Sequence, residues 1–346
     1  MIKQIKFIQN LHKETFNRWF YVQNRINIPL YDNKMRPLKP LSIIYNEKSG
    51  FHASKHEDVY EQLMTVFTEH GFEIQVFELN ENTLFDDLMN NVIHRHSKNE
   101  NIGVIVAAGG DGTLNAVASK LKSTSIPMGI LPLGTFNYVA KVLDIPLDLL
   151  EAAEIIATGT PRSVHVAAIN DHIYLNNASL GLYPLFIKKR ELYNKYLGRL
   201  PLHAYTSALD VLLRDNKAMK LSITVDGKKY PVKAPLIFFG NNQLQLCDMK
   251  LRIAECAAQG RVAGVVITKS DKLSLLNMLW QWVQGKVEDA KDVYSFCADH
   301  VIVECSKKSK LTVALDGEII EMKTPLNFTV EKNALNIMVP NVITAV

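Results

Sequence analysis

Ile102-Gly103-Val104-Ile105-Val106-Ala107-Ala108-Gly109-Gly110-Asp111-Gly112-Thr113-Leu114-Asn115 carries an apolar run straight into a glycine-rich turn that holds one carboxylate. The run over Ile102 to Ala108 reads as a buried strand, and Thr113 to Leu121 as the helix that follows it. Glycines at 109, 110 and 112 let backbone N–H groups approach a polyphosphate where any Cβ would collide. The helix start adds free N–H donors and partial positive charge. A carboxylate at Asp111 repels phosphate unless it holds a metal ion or takes a proton, so the stretch points to metal-nucleotide chemistry. Taken alone, the motif is equally a tight strand-to-helix turn capped by Asp111.

On both sides of this stretch, strands and helices alternate. Leu41 to Tyr45, Phe72 to Phe77 and Pro127 to Leu131 read as strands; Asp58 to His70, Leu84 to His94 and a segment ending near Val142 read as helices. That alternation predicts a parallel sheet covered on both faces, whose ligands bind beyond the carboxyl ends of the strands. Three polar or glycine-bearing loops fall there: 46–50, 109–113 and 133–137.

After about Gly159 the texture changes. Val164 to Ala168, His172 to Asn176, Leu221 to Val225, Lys228 to Val232, Pro235 to Phe239, Arg261 to Thr268, His300 to Glu304, Lys310 to Leu315 and Phe328 to Val330 are short strand-like stretches. Asp226-Gly227 and Asp316-Gly317 supply turn signals. The expectation is an α/β domain followed by a mainly antiparallel β sandwich, interrupted by helices over Lys188 to Arg214 and Ser270 to Gln284.

A chain of 346 residues exceeds the about 250–300 residues that one core usually serves. No apolar run approaches the roughly 18–20 residues that span a bilayer, and the first residues lack the apolar stretch of a secretory signal, so a cytoplasmic protein is expected. Cys247, Cys256, Cys297 and Cys305 show no paired spacing and no zinc set, and read as buried free thiols.

The net charge of +4 is unevenly placed: residues 1–40 hold eight Lys and Arg against Glu14 and Asp32, a net +6, leaving −2 for the rest. A nearly neutral body argues against a general nucleic-acid binder. Within the basic segment, Ile5, Ile8, Leu11, Phe16, Trp19, Phe20, Val22 and Ile26 share one side of a helical wheel. Such a helix suits the surface of an anionic membrane, the protein's own body, or the second subunit of a homodimer.

Asn46-Glu47-Lys48-Ser49-Gly50, Gly109-Gly110-Asp111-Gly112-Thr113, Leu133-Gly134-Thr135-Phe136-Asn137, Asn177-Ala178-Ser179-Leu180-Gly181-Leu182 and Asp316-Gly317-Glu318 together resemble the diacylglycerol and sphingosine kinase family. The resemblance covers roughly 41–346. It implies ATP on a first domain (41–160, with 325–346 returning to it) and a lipid alcohol on the sandwich (161–324). Asn46, Ser49 and Gly50 then form a first phosphate loop, and Gly109, Gly110, Asp111, Gly112, Thr113, Leu114 and Asn115 a second. Gly134, Thr135 and Asn137 add further nucleotide contacts. Asp111 acts on the Mg²⁺-phosphate network. Glu318 is the base for the lipid hydroxyl, with Asp316 as its partner: in an extended segment, residues two apart point the same way, and adjacent carboxylates raise one pKa. Leu275, Leu279, Trp280 and Trp282 are candidates for lipid contact or for helix packing. Lys188, Lys189, Arg190, Lys195 and Arg199 form a basic face that anionic headgroups or water would occupy.

The chain departs from the family pattern at three places. Glu47 stands where Pro is usual, and Tyr138 where an Asp usually supports catalysis. Gln259 stands where an Asp helps relatives hold a structural Mg²⁺, putting that second metal in doubt. These departures keep open a non-catalytic nucleotide- or lipid-binding module. An NAD kinase, which shares Gly-Gly-Asp-Gly, is the other alternative, although its Thr-Pro-x-Gly-Ser-Thr-like signature is missing.

Overall fold

Four apolar segments form the parallel sheet that the alternation predicts. β1 (Lys39–Asn46) lies between β2 (Phe72–Leu79) and β3 (Val104–Gly109), and β4 (Met128–Pro132) follows, in the order β2-β1-β3-β4. β3 and β4 are buried along their whole length, as expected of strands covered on both faces. The cover comes from α1 (Glu57–Glu69), α2 (Phe85–Ser97), α3 (Asp111–Leu121), the short α4 (Tyr138–Val142) and α5 (Leu149–Thr158). The reading of the sequence missed α5. Its signal is Asp148, whose carboxylate accepts from the Leu150 and Glu151 amides and caps the helix.

This computed structural model describes residues 38–46, 57–80, 82–99, 101–197, 218–269, 271, 273, 274 and 289–341, with the side chains of 57, 58 and 190–197 set aside. The expectations for the basic segment through Pro37, for Glu47, Ser49 and Gly50, and for Leu275, Leu279, Trp280, Trp282 and Arg199 lie outside the described residues, as do those for the side chains of Arg190 and Lys195. Among the described residues, no helix is long and apolar enough to cross a membrane.

The remaining strands are β5 (Thr160–Ile169), β6 (His172–Tyr174), β7 (Asn177–Gly181), β8 (Met219–Val225), β9 (Lys228–Ala234), β10 (Leu236–Gly240), β11 (Val262–Ile267), β12 (Val293–Ala298), β13 (Val301–Glu304), β14 (Lys310–Leu315), β15 (Glu318–Lys323) and β16 (Leu326–Val339). They build an antiparallel sandwich. One sheet runs β12-β11-β10-β7-β14-β15. The other is continuous with the parallel sheet: β16 pairs with β4 at Ile337 and Met128, lies antiparallel to β5, and leads on to β13, β8 and β9. The long β16 thus belongs to both layers. Between the sandwich sheets the core is aromatic and aliphatic, with Phe239 stacked on Phe328 at a centroid distance of 3.7 Å.

Among the described residues, three helices sit on the six-stranded sheet's side of the chain: α6 (Leu182–Leu197), α7 (Gln243–Asp248) and α8 (Ala254–Ala258). α6 starts six residues before the expected Lys188, directly after β7. Cys256 of α8 and Cys297 of β12 form a disulfide with Cα atoms 5.8 Å apart. This corrects the expectation of four buried free thiols. The pairing is invisible as local spacing because β11 and the segment after it separate the two cysteines by 41 residues. Cys247 and Cys305 are free, and neither is fully buried.

Candidate active site

The carboxyl ends of β1, β3 and β4 are level, because Tyr45 pairs with Ala108 and Gly109 with Pro132. Asn46, at the end of β1, therefore stands in register beside Gly109. The loops after Gly109 and Pro132 touch one another: a Cβ on Gly134 would fall 2.8 Å from the Cα of Gly110. Asn137 closes the second loop. It adopts a left-handed conformation (φ 50°), is buried, and its Nδ2 donates to the Gly134 carbonyl at 2.8 Å. Thr135 is exposed at the loop's tip.

Gly110 is the N-cap of α3 and offers no side-chain cap, so the first amides of the helix are left free to face a ligand. Asp111 opens the helix. Burial pushes its carboxyl above its ordinary pKa, while a hydrogen bond from Asn176 and the charge of Lys141 pull it down. Leu114 is 2% exposed and packs into the α/β core, so its side chain is turned from the cradle. Asn115 also points elsewhere. Its Nδ2 donates to the Ile173 carbonyl at 3.0 Å and to Asp316 Oδ2 at 2.8 Å.

Asp316 and Gly317 form the two-residue turn between β14 and β15, both with positive φ (45° and 92°). This is the type I′ geometry that Asp-Gly favours. It corrects the expectation of an extended segment in which Asp316 and Glu318 point together. Asp316 is turned inward. Oδ1 accepts from the Asn176 and Asn177 amides, each at 2.9 Å, and Oδ2 from the Leu175 amide at 2.7 Å and from Asn115. Burial raises its pKa to about 6, against the pull of those four donors, and the charge of Glu318 is not among the causes. Asp316 is the peg that holds the hairpin and the 175–177 segment to α3.

Glu318 leaves the turn toward the glycine loop. A Cβ on Gly112 would lie 2.7 Å from Glu318 Oε1, so this carboxylate rests on the residue next to Asp111. The turn from the sandwich and the turn from the α/β sheet meet at one point, although they stand about two hundred positions apart.

Two further residues belong to this cluster and were not singled out from the sequence. Asn176 Nδ2 donates to Asp111 Oδ1 at 3.2 Å, and Asn176 Oδ1 accepts from Asn242 Nδ2 at 3.0 Å. Asn242 Nδ2 also reaches the Tyr138 carbonyl at 3.0 Å, and its Oδ1 caps α7 through the Gln245 amide. A chain of amides thus links Asp111 to α4 and α7. The available signal was two Asn-Asn pairs, one next to β7 and one just past β10. Tyr138 is stacked on Phe136 with rings 11° from parallel, and Lys141 Nζ lies 5.6 Å from its centroid. Burial raises the Tyr138 hydroxyl's pKa, followed by the charges of Asp248 and Asp111. Gln259 ends α8 and is exposed. Among the described residues, no three His, Cys, Asp or Glu side chains gather as a metal cluster.

Comparison with known proteins agrees with this architecture in two successive parts. Residues 40–169 match the diacylglycerol kinase catalytic domain, and residues 191–339 match the YegS C-terminal NAD kinase beta sandwich-like domain. A diacylglycerol kinase of Staphylococcus aureus is 26% identical over 310 residues, 88% of this chain and 93% of that protein. An uncharacterised protein of Synechocystis is 28% identical over 261 residues, 71% of this chain but only 57% of that protein. The crystal structure of a diacylglycerol kinase from Bacillus anthracis aligns with a TM-score of 0.64 at 18% identity, covering 90% of this chain and all of that one. At that identity the likeness is one of fold.

Proposed function

We propose, for a chain that belongs to the diacylglycerol kinase-like lipid kinase family, that it transfers the γ-phosphoryl group of ATP to the hydroxyl of a lipid alcohol such as diacylglycerol or a sphingoid base. As a member of that family it is a phosphotransferase. The nucleotide would lie on 41–160 with 325–346, and the lipid on 161–324. The single observation that carries this reading is the seat of Glu318 Oε1 against Gly112, beside Asp111.

The glycine cradle fits a polyphosphate. The approach of Gly134 to Gly110 leaves no room for a side chain, and the uncapped amides of α3 supply donors. Asn46, Ser49 and Gly50 would hold phosphate oxygens from the β1 side, with Gly109, Gly110, Gly112 and Thr113 in the centre and Gly134 and Thr135 opposite. The structure assigns other work to three residues of the expected set: Leu114 fills the core, Asn115 holds Asp316, and Asn137 shapes its own loop. Asp111 is the carboxylate that would face Mg²⁺, which when bound neutralises the phosphate oxygens. Glu318, at the junction of the two turns, would take the proton of the lipid hydroxyl as that oxygen attacks. Asn176 would orient Asp111 and keep it ionised.

The test is purified protein with γ-labelled ATP, Mg²⁺ and a panel of lipid alcohols. Label should enter the organic phase with the wild-type protein. It should fall by about 10²–10⁴-fold in Glu318→Gln, the range for losing a general base, and vanish in Asp111→Asn. Label on NAD instead would move the assignment to the NAD kinase reading that the second domain's description keeps in play. ATP binding with no transfer to any acceptor would leave a binding module.

A further inference from the structure

The end of the sandwich opposite the hairpin turn carries an unusual set of charges. Lys220 of β8 lies directly across from Lys233 of β9, and Lys310 of β14 directly across from Lys323 of β15. Like charges placed opposite one another weaken a sheet. Lys307 and Lys308 lie in the connection that carries the chain from β13 to β14, over the same end. All six side chains are exposed, and none has an ion-pair partner among the described residues. Protection of sheet edges accounts for lysine on β9 and β15, the outermost strands. It does not account for Lys220, Lys307, Lys308 or Lys310.

The alternation along the strands sets the two pairs on opposite outer faces. Leu221, Val232 and Ala234 face the inner core beside Lys220 and Lys233, and Leu311 and Met322 do so beside Lys310 and Lys323. The sheets of a sandwich lie about 10 Å apart, so the pairs are separated by more than the roughly 8 Å Debye length of physiological salt. A small anion can quench one pair but not both. An extended anionic plane laid across the end of the strands meets all six. Apolar residues stand at the same end: Leu185 follows β7 by four residues and is 38% exposed, and Leu273 follows β11 by six and is 81% exposed.

We propose that this lysine rim docks the protein on an anionic lipid bilayer. The proposal rests on the lipid kinase reading, because that reading makes the bilayer the source of substrate. Its geometry suits that role. β14 and β15 each have six residues, and at about 3.4 Å per residue the five steps from Lys323 set Glu318 roughly 17 Å from the rim. One leaflet's hydrocarbon layer is about 15 Å deep. A lipid whose tails stay near the rim can therefore present its headgroup close to the two turns.

The full chain would be sedimented with vesicles of phosphatidylcholine alone and with vesicles containing one-third phosphatidylglycerol. The variant carries Lys220→Gln, Lys233→Gln, Lys310→Gln and Lys323→Gln together. A charge-matched control neutralises the exposed Lys98, Lys228, Lys250 and Lys332, away from the rim. A lysine near an anionic surface contributes about 1 kcal/mol, or roughly fivefold in partitioning. The rim variant should therefore lose at least about 20-fold in binding to the anionic vesicles, with the control within threefold of wild type. Phosphorylation of a short-chain lipid in solution should be unchanged in the rim variant. That readout separates the docking claim from the kinase reading, since absent activity in every protein would overturn only the latter. Equal losses in rim variant and control, or undiminished binding of the rim variant, would overturn the rim. So would a rim that retains a DNA duplex more tightly than anionic vesicles at the same salt.

Discussion

Asn115 Nδ2 donates to Asp316 Oδ2 at 2.8 Å, joining two residues 201 positions apart. One end of this bond is the first helix after the glycine loop; the other is the hairpin turn that delivers Glu318. With the Leu175, Asn176 and Asn177 amides it fills both oxygens of a partly buried carboxylate. Three backbone donors and one side-chain donor converge on it, so Asp316 fixes the hairpin against α3 and the 175–177 segment.

Asp316→Ala should therefore be a stability variant first. Orphaned buried donors cost about 1–3 kcal/mol each before relaxation, so a loss on the order of 4 kcal/mol is expected. Differential scanning calorimetry should show a fall in Tm of about 5–10 °C, scaled for a chain of this length. Asn115→Ala removes only one of the four donors and should cost less than half as much. Equal effects of the two substitutions would contradict the account of Asp316 as the shared anchor.

Asn176→Ala should move a pH profile. The amide stabilises the ionised form of Asp111, so without it the Asp111 pKa rises further. The acidic limb of kcat against pH should shift to higher pH. Near neutrality kcat should fall while the KM for ATP changes little, since Asn176 lies behind Asp111 and not in the glycine cradle. A profile that keeps its acidic limb in place would separate Asn176 from the titration of Asp111.

The fold was legible where one physical signal dominates. Continuous apolar runs such as Val104 to Ala108 mark strands buried on both faces, and the alternation with helices marks their sheet as parallel. Turn chemistry marked the β14–β15 hairpin through Asp316-Gly317. β15 itself was missed because Glu318-Ile319-Ile320-Glu321-Met322-Lys323 has charged residues at both ends and an unalternating centre. β12 was missed because Val293-Tyr294-Ser295-Phe296-Cys297-Ala298 is apolar at all but one position and shows no alternation of apolar and polar residues. The carboxylates of the site were legible as motif residues, but their division of labour was not. Whether Asp316 joins Glu318 or turns to the backbone depends on the left-handed conformation of the turn. No residue count along the chain encodes that choice.

His96 predicts acid sensitivity in the α/β core. It is fully buried; its Nδ1 lies 2.7 Å from the Ile102 carbonyl and its Nε2 3.0 Å from Ser42 Oγ. The carbonyl only accepts, so Nδ1 carries the proton and Nε2 accepts from the serine. Burial lowers the pKa, opposed by the Ile102 bond and reinforced by Arg95. Above its ordinary value of 6.5 the folded and unfolded states are both neutral, and the contribution of His96 to stability is complete. As pH falls below that value the unfolded chain takes the proton first, so stability declines until the depressed folded pKa is reached. Urea titrations between pH 8 and 5 should show this decline, and His96→Gln should flatten it while lowering stability at pH 8. Parallel curves for the two proteins would remove His96 as its source.

Gly112→Ala sets stability against turnover at a single position. Gly112 lies in the first turn of α3, where alanine is the better helix former by up to about 1 kcal/mol. The new Cβ would sit 2.7 Å from Glu318 Oε1. What must yield is the tip of a flexible side chain and not backbone, so the fold tolerates the change at the expense of Glu318's position. A Tm equal to or slightly above wild type is expected. A misplacement of about 1 Å at a reacting group can cost on the order of 10²-fold in rate, and kcat should fall on that scale. In the Glu318→Gln background the same alanine should add little further loss, because both changes act on one carboxylate. Full additivity of the two losses, or a Gly112→Ala enzyme with undiminished kcat, would show that Glu318 works from somewhere other than its seat over Gly112.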